Sequence, residues 1–370
     1  MNRLGKRIDL FRPCLGKEEL SAIESVFASG WIGNGKVSES VEKTFATLTG
    51  SYFAVATNSC TSALQVALKL RNVSAGDEVI VPTMTFTATA EAALSIGATP
   101  VLVDVAPETL LADYDSVKAA ITPRTKAIIL VLYAGRVLDW GDSVNGIPII
   151  YDCAHAAGSR FRASGANRIA CWSFNAVKNL GCGDGGMLTC NHPSEQSRAK
   201  SLAWHGITAS TWSRSKDSKY TSGYDVEELG FRGQMSDITA AILSAQIGRL
   251  GEFQQTRRHA WLQYHRQLRG IDQIELLTTD VEYDTSSHHL VVARCRNRDA
   301  LQRHLASRDI TTGIHYKPLH QLTLFSATQQ SFPVADAAYQ EILSLPCHPA
   351  LTADEVSVVC ESIREFYERQ

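Results

Sequence analysis

Seven short runs punctuate residues 53–190: "FAVAT", "EVIVP", "PVLVDV", "KAIILVL", "IPIIYD", "CWSF" and "GMLTC". Each is apolar at successive positions rather than at alternate ones. A strand written that way has no face to offer water, so it must be covered on both sides. The helical stretches "TSALQVALKL" and "TATAEAALSIG" between the runs supply that cover. The pattern predicts α/β layering around a largely parallel sheet.

Before this region, "GKEELSAIESVFASG" predicts a helix with Leu20, Ile23 and Phe27 on one face and Gly30 as its stop. The turn "GWIGNG" and a second helical segment to about residue 49 follow. Residues 207–229 are polar and rich in Ser and Thr, the composition of a long loop. "MSDITAAILSAQIGRLGEF" reads as a helix with an apolar face of Met235, Ile238, Ile242 and Ala245, capped by Ser236 or Asp237. The remainder has the pattern of a smaller α/β domain. Its last helix carries a capping box at Thr352 and Glu355 and an apolar face of Val356, Val359, Ile363 and Phe366. The expected division is a large domain over 1–251 and a small one over 252–370.

Charge narrows the function classes. The net charge is −2 with no long block of one sign, which argues against a nucleic-acid or membrane-surface binder. No apolar run has the length of a membrane span. Nine cysteines stand singly with no CxxC pair, and the opening residues carry no apolar signal region. The expectation is a cytoplasmic chain with reduced thiols, without disulfides or a metal site.

Four features carry chemistry, in chain order. In "FAVATNSCTSALQVALKL" a strand turns tightly into a helix, placing Ser59, Thr61 and Ser62 where free N–H groups and the helix dipole suit a phosphate. N-capping is the plainer use of such residues. In "VPTMTFTATAEAA", Phe86 stands just past the carboxyl end of a strand, where ligands of α/β sheets sit. In "IPIIYDCAHAAG", Asp152 ends a buried run and needs a partner, and His155 follows three residues later. In "SFNAVKNLGCGDGG", Lys178 lies between an apolar strand and a glycine-rich turn, with Ser173 upstream. A desolvated lysine has a lowered pKa and can serve as a nucleophile and then as a base. Together these are a phosphate cradle, an aromatic plate, a carboxylate for a ring nitrogen and an amine for a Schiff base: the binding logic of pyridoxal phosphate.

At these residues the sequence resembles the DegT/DnrJ/EryC1/StrS family of sugar aminotransferases. The likeness runs over nearly the whole chain, through "SGWIGNG", "TNSCTSALQVAL", "VPTMTFTAT", "YDCAHAAG", "SFNAVKNLGCGDGGMLT", "MSDITAAILSAQIGRL" and "IHYKPLH". It implies the type I fold of pyridoxal-phosphate enzymes, with a mostly parallel seven-stranded sheet in the large domain and a smaller C-terminal α/β domain. Lys178 would carry pyridoxal 5'-phosphate and move the proton. Asp152 would pair with the ring nitrogen, His155 would sit near the phenolic oxygen, and Phe86 would stack on the ring. Thr61, Ser62 and Ser173 would hold the phosphate. Members are homodimers with shared active sites, and Gln234 stands where a phosphate-contacting Asn of the neighbouring copy is expected. His315, Tyr316 and His320, with Arg214, Lys216 and Lys219 of the polar loop, are candidates for the substrate. In place of the family's "VHxxG" the chain has "VLYAGR", with Leu132 for the His and Arg136 following, a departure that bears on substrate choice.

The resemblance implies an aminotransferase that moves an amino group from L-glutamate to a nucleotide-linked keto-sugar, making an amino sugar for a polysaccharide or a glycosylated natural product. "GWIGNG" looks more like members acting at C4 than at C3. Alternatives are a cyclitol aminotransferase, an aminobenzoate-type synthase, or a silent scaffold that keeps the fold. Lys178 and Asp152, both present, speak against the scaffold.

Overall fold

The computed structural model describes residues 2–208, 224–277, 283–326 and 330–369. The apolar runs become strands β1 (Phe53–Thr57), β2 (Glu78–Pro82), β3 (Thr99–Val103) and β4 (Thr125–Val131). After a two-residue strand β5 (Ser143–Val144) come β6 (Ile147–Asp152), β7 (Ile169–Ser173) and β8 (Gly186–Cys190). Seven of them form one sheet in the order β1-β8-β7-β6-β4-β2-β3, and β5 pairs with β6 at its start. Pairings from β3 through β7 are parallel, whereas β8 runs antiparallel to both β1 and β7. Every residue of β1, β2, β7 and β8 is buried, as continuous apolar runs require.

Sheet order positions the site. Parallel strands end on the same edge, so Pro82, Val131, Asp152 and Ser173 all deliver the following loops to one side. The Cys60–Leu70 helix leaves β1 there as well, and its first turn lies against β8 so closely that a Cβ on Gly186 would come within 2.3 Å of the Ser59 carbonyl.

A second, three-stranded antiparallel sheet joins β9 (Ile274–Leu276), β10 (Val291–Cys295) and β11 (Ile342–Leu345) in the order β11-β10-β9. The Leu250–Leu268 helix packs on it through Ala260, Trp261 and Tyr264. The terminal helix Ala353–Glu368 has the expected capping box at Thr352 and Glu355 and buries Val356, Val359 and Ile363.

Two helix faces differ from expectation. On Lys17–Ser29, Leu20 and Phe27 point outward, 63% and 61% exposed, while Glu19 and Val26 are buried. Glu19 is held inside because one oxygen accepts the Gly16 N–H at 2.6 Å and the other accepts Gln246 Nε2 at 2.7 Å. On Asp237–Gly248 the buried positions are Asp237, Ala240, Ala241, Leu243 and Gln246, with Ile238 and Ile242 only half-buried. Ser236 is the cap of that helix, accepting the Thr239 N–H. Asp237 serves its neighbour instead. Its carboxylate takes N–H groups of Gly35, Val37 and Ser38, at the start of the Lys36–Thr49 helix.

Candidate active site

Beyond the carboxyl ends of β4, β6 and β7 lies a cavity of ≈ 400 Å³, and Lys178 and Asp152 both line it. Asp152 closes β6. Its Oδ2 accepts the Thr89 hydroxyl at 2.9 Å, and Oδ1 accepts the Ala154 N–H at 3.1 Å with the Cys60 thiol at 3.9 Å. Burial raises this carboxyl above its ordinary value; the backbone donor, the Thr89 hydroxyl and the Lys178 charge work against the rise. Thr89 is itself aligned by Thr85, whose hydroxyl lies 2.8 Å away.

Lys178 follows β7 on the turn that leads to β8. No described residue accepts a hydrogen bond from its Nζ. Burial lowers the amine to about 8, with the Asp152 charge opposing. That makes it a base and nucleophile near neutral pH. The next residue, Asn179, anchors the turn: its Nδ2 donates to the carbonyls of Ala157 at 2.9 Å and Ser287 at 3.0 Å.

The opposite wall is made of rings. His155 Nδ1 accepts the Ala134 N–H at 3.2 Å, and burial pushes the imidazole well below its ordinary pKa. The neutral ring therefore carries its proton on Nε2, which donates to the Tyr316 hydroxyl at 2.9 Å. Gly135 makes room for this arrangement: at φ 87, a Cβ there would meet Ser287 Oγ, the hydroxyl that holds the His155 carbonyl. His289 lies beside His155 with centroids 4.3 Å apart and the rings tilted by 35°, and Phe11 stacks on His289. His315 also lines the cavity; its Nδ1 lies 2.9 Å from Ser344 Oγ, and burial lowers its ring to about 4.

Most of the expected residues converge. Phe86, 58% exposed, stands at the cavity with its ring 6.0 Å from that of Tyr316. Thr61 and Ser173 line it too, beside Ser59. Three residues lie elsewhere. The Ser62 hydroxyl is turned to Asn58 Oδ1 at 2.7 Å and is no part of the wall, whereas Ser59, the N-cap, is. His320 has both ring nitrogens engaged, by Thr83 at 2.8 Å and Asp336 at 2.9 Å, and stacks on Phe332. Gln234 pairs with Thr57 outside this cavity and lines two other clefts. Leu132 is fully buried in the core on the sheet's other side, so it does not face the cavity. Arg214, Lys216 and Lys219 lie outside the described residues.

Sequence reading missed Thr85, Thr89, Asn179, His289 and Phe11. The first two were readable as a Thr pair four apart on a helix start; the others have partners far away in the chain.

The donor set fits pyridoxal 5'-phosphate. A buried carboxylate awaits a cationic ring nitrogen, an unpaired amine awaits a carbonyl carbon, a ring stands ready to stack, and hydroxyls at a helix start suit a phosphate. Among the described residues no group of His, Cys, Asp and Glu could hold a metal ion, and no helix is long and apolar enough to cross a membrane.

Known proteins match this chain throughout. Residues 13–364 match the model of the DegT/DnrJ/EryC1/StrS aminotransferase family. Spr1654 of Streptococcus pneumoniae, assigned as a sugar aminotransferase, superimposes in its PMP form with a TM-score of 0.89 at 29% identity over 98% of each chain. Its PLP form gives 0.88. The aminotransferase TlmJ of Streptoalloteichus hindustanus is 33% identical over 97% of this chain and 98% of its own, with a TM-score of 0.86. PseC of Helicobacter pylori, an aminotransferase in pseudoaminic acid biosynthesis, is 26% identical over 99% and 100%, also at 0.86.

Proposed function

The chain belongs to the DegT/DnrJ/EryC1/StrS aminotransferase family and is a pyridoxal-phosphate-dependent enzyme, and from that premise we propose that it transfers an amino group from L-glutamate to a nucleotide-linked keto-sugar. One observation carries the substrate class. Among the described residues that line the cavity, Lys178 is the sole cation, and the wall of rings is neutral: Tyr316 keeps its phenolic proton, and His155, His289 and His315 are uncharged near pH 7. Hydroxyls and carbonyls suit such a wall, as a keto-sugar would supply. Spr1654, named above as a sugar aminotransferase, supports the same reading. Amination at C4 rather than C3 rests on the "GWIGNG" likeness alone.

When bound, pyridoxal phosphate supplies the electron sink that lets an amino group leave one carbon and join another. The protein's part is binding and proton handling. Lys178 would hold the cofactor through Nζ and, when displaced, take and return the proton at the reacting carbon; an amine near 8 is matched to that task at physiological pH. Asp152, kept aligned by Thr89 and Ala154, would hold the ring-nitrogen proton. A cation there favours the ionised carboxylate, reversing the effect of burial. Phe86 would cover one ring face, Thr61 and Ser173 would hold the phosphate, and Tyr316 would be aimed by His155. Ser62 and Gln234 would act from outside the cavity.

We also propose a homodimer. Leu20, Phe27 and Ile32 are 63%, 61% and 56% exposed on the single chain, apolar surface that a second copy would cover. Division at 251/252 is part of the reading, supported by the separate apolar cluster around the small sheet. A cytoplasmic location is supported by nine free thiols.

The test begins with an absorbance spectrum before and after borohydride, with peptide mapping. A visible band that collapses, leaving a pyridoxyl adduct on Lys178, is expected. Nucleotide keto-sugars are then screened with glutamate; turnover of amino acids and simple ketones in preference to every nucleotide keto-sugar would overturn the substrate assignment.

A further inference from the structure

His289 is buried in the cavity wall, 1% exposed, and one of its nitrogens has a fixed job. Asn179 cannot turn its amide, because Nδ2 already donates to two carbonyls. It therefore presents Oδ1, an acceptor, to His289 Nδ1 at 2.8 Å. Nδ1 must carry the proton. Burial, with the positive charge of Lys178 adding to it, keeps the ring neutral. Nε2 is then a bare lone pair, and no described residue donates to it. Arg257 secures the arrangement from behind by donating to the His289 carbonyl at 3.2 Å. That lone pair is open to the cavity His289 lines, where a bound molecule can donate to it.

The adjacent ring has the opposite polarity. His155 is protonated on Nε2 and gives that proton to Tyr316, whose own O–H is left to point elsewhere. Two neutral imidazoles 4.3 Å apart thus offer a donor, relayed through Tyr316, and an acceptor. Both lie within electrostatic reach of Lys178, the group that must meet the reacting carbon.

We propose that His289 Nε2 accepts a hydrogen bond from a hydroxyl on the carbon next to the one aminated, so that the enzyme selects an α-hydroxy ketone. The assignment rests on the keto-sugar reading above. His289 reads the neighbouring oxygen, and Tyr316 supplies a proton toward the carbonyl oxygen. An analogue with hydrogen in place of that hydroxyl leaves the lone pair buried and unpaired.

The experiment compares a nucleoside-diphosphate 4-keto-6-deoxyhexose with its 3-deoxy counterpart, using the holoenzyme and His289→Phe, which keeps the ring stack and removes the acceptor. The wild type is expected to prefer the hydroxylated probe by roughly tenfold to a hundredfold in kcat/KM, the range for one unpaired buried polar group. In His289→Phe the preference should vanish, because the hydroxylated probe should lose roughly tenfold to a hundredfold more than the deoxy probe. Equal loss on both probes would overturn the proposal and point to Nε2 serving Lys178 instead. Histidine ¹⁵N spectra of the unsubstituted protein decide the matter even if neither probe turns over or the variant misfolds. They should show the Nδ1–H tautomer, and Nε2 should shift with the hydroxylated probe only. Identical shifts with both probes would also overturn it. Failure of both probes to turn over, with the selective shift retained, would count against the assigned carbon or reaction rather than against His289.

Discussion

Thr89 donates its hydroxyl to Asp152 Oδ2 at 2.9 Å, with Thr85 behind it at 2.8 Å. The carboxylate is buried, and burial alone would leave it neutral more often than a ring nitrogen requires. Thr89→Val removes the side-chain donor on Oδ2 and keeps the shape. Affinity for pyridoxal phosphate should fall by roughly tenfold to a hundredfold, the worth of one hydrogen bond to a charged group. Affinity for the analogue with carbon in place of the ring nitrogen should hardly change, and Thr89→Ser should restore the native value. Equal losses for both cofactors would mean that Thr89 shapes the pocket and does not tune the carboxylate.

Lys178 gives a pH prediction whose sign is fixed. Its amine sits at about 8 in the folded protein against the ordinary 10.5. Below about 8 both folded and unfolded chains hold the proton, and the folded state bears the whole cost of a desolvated ammonium. Between 8 and 10.5 the unfolded chain holds more protons, so stability rises with pH and the cost fades. Lys178→Met should therefore stabilise the cofactor-free protein at pH 7, and the gain should shrink toward pH 10.5. In the unsubstituted protein the rate of cofactor capture should climb with pH and level off above about 8. Thermal unfolding and stopped-flow absorbance measure the two. A gain that grows with pH would contradict the assigned shift.

Gln234 lies outside the Lys178 cavity of its own chain, paired with Thr57, so it could reach a cofactor only in a neighbouring copy. Gln234→Glu would set a carboxylate against the phosphate there and should cut activity sharply. Mixed with inactive Lys178→Ala after confirmed subunit exchange, it should recover part of the activity, because one site of each mixed dimer would be intact. A mixture that stays inactive would place Gln234 away from the shared site.

What could be read in the sequence follows from how local its cause is. Both-face burial writes continuous apolar runs, so seven of the eight strands of the large sheet were legible, all but the two-residue β5. Lys178 and Asp152 stood out because each is a charge at the end of such a run. The helix Lys17–Ser29 misled for the opposite reason: its apolar stripe faces outward in the single chain, and its inward Glu19 is satisfied by Gln246, 227 residues away. His289 could not be singled out because its partner, Asn179, is 110 residues distant. A polar residue whose partner lies beyond any local window looks like any loop residue.

Asp237 illustrates the same point and yields a stability test. Placed at the start of its own helix, it reads as a cap for that helix. In the fold its buried carboxylate accepts the Gly35 and Ser38 N–H groups at 2.9 Å each, the Val37 N–H at 3.2 Å and the Ser38 hydroxyl at 2.7 Å. It ties the turn before Lys36–Thr49 to the helix of Gln246. Asp237→Ala leaves those donors without an acceptor and should lower unfolding free energy by about 2–4 kcal/mol, more than an exposed cap is worth. Asp237→Asn keeps one acceptor oxygen and should lose about half as much. Ser236→Ala removes an ordinary cap, the Thr239 contact at 3.2 Å, and should cost only about 1 kcal/mol. Urea denaturation of the cofactor-free protein ranks the three. If Ser236→Ala proved the more damaging, the helix start at Lys36 would have to be held by something other than Asp237.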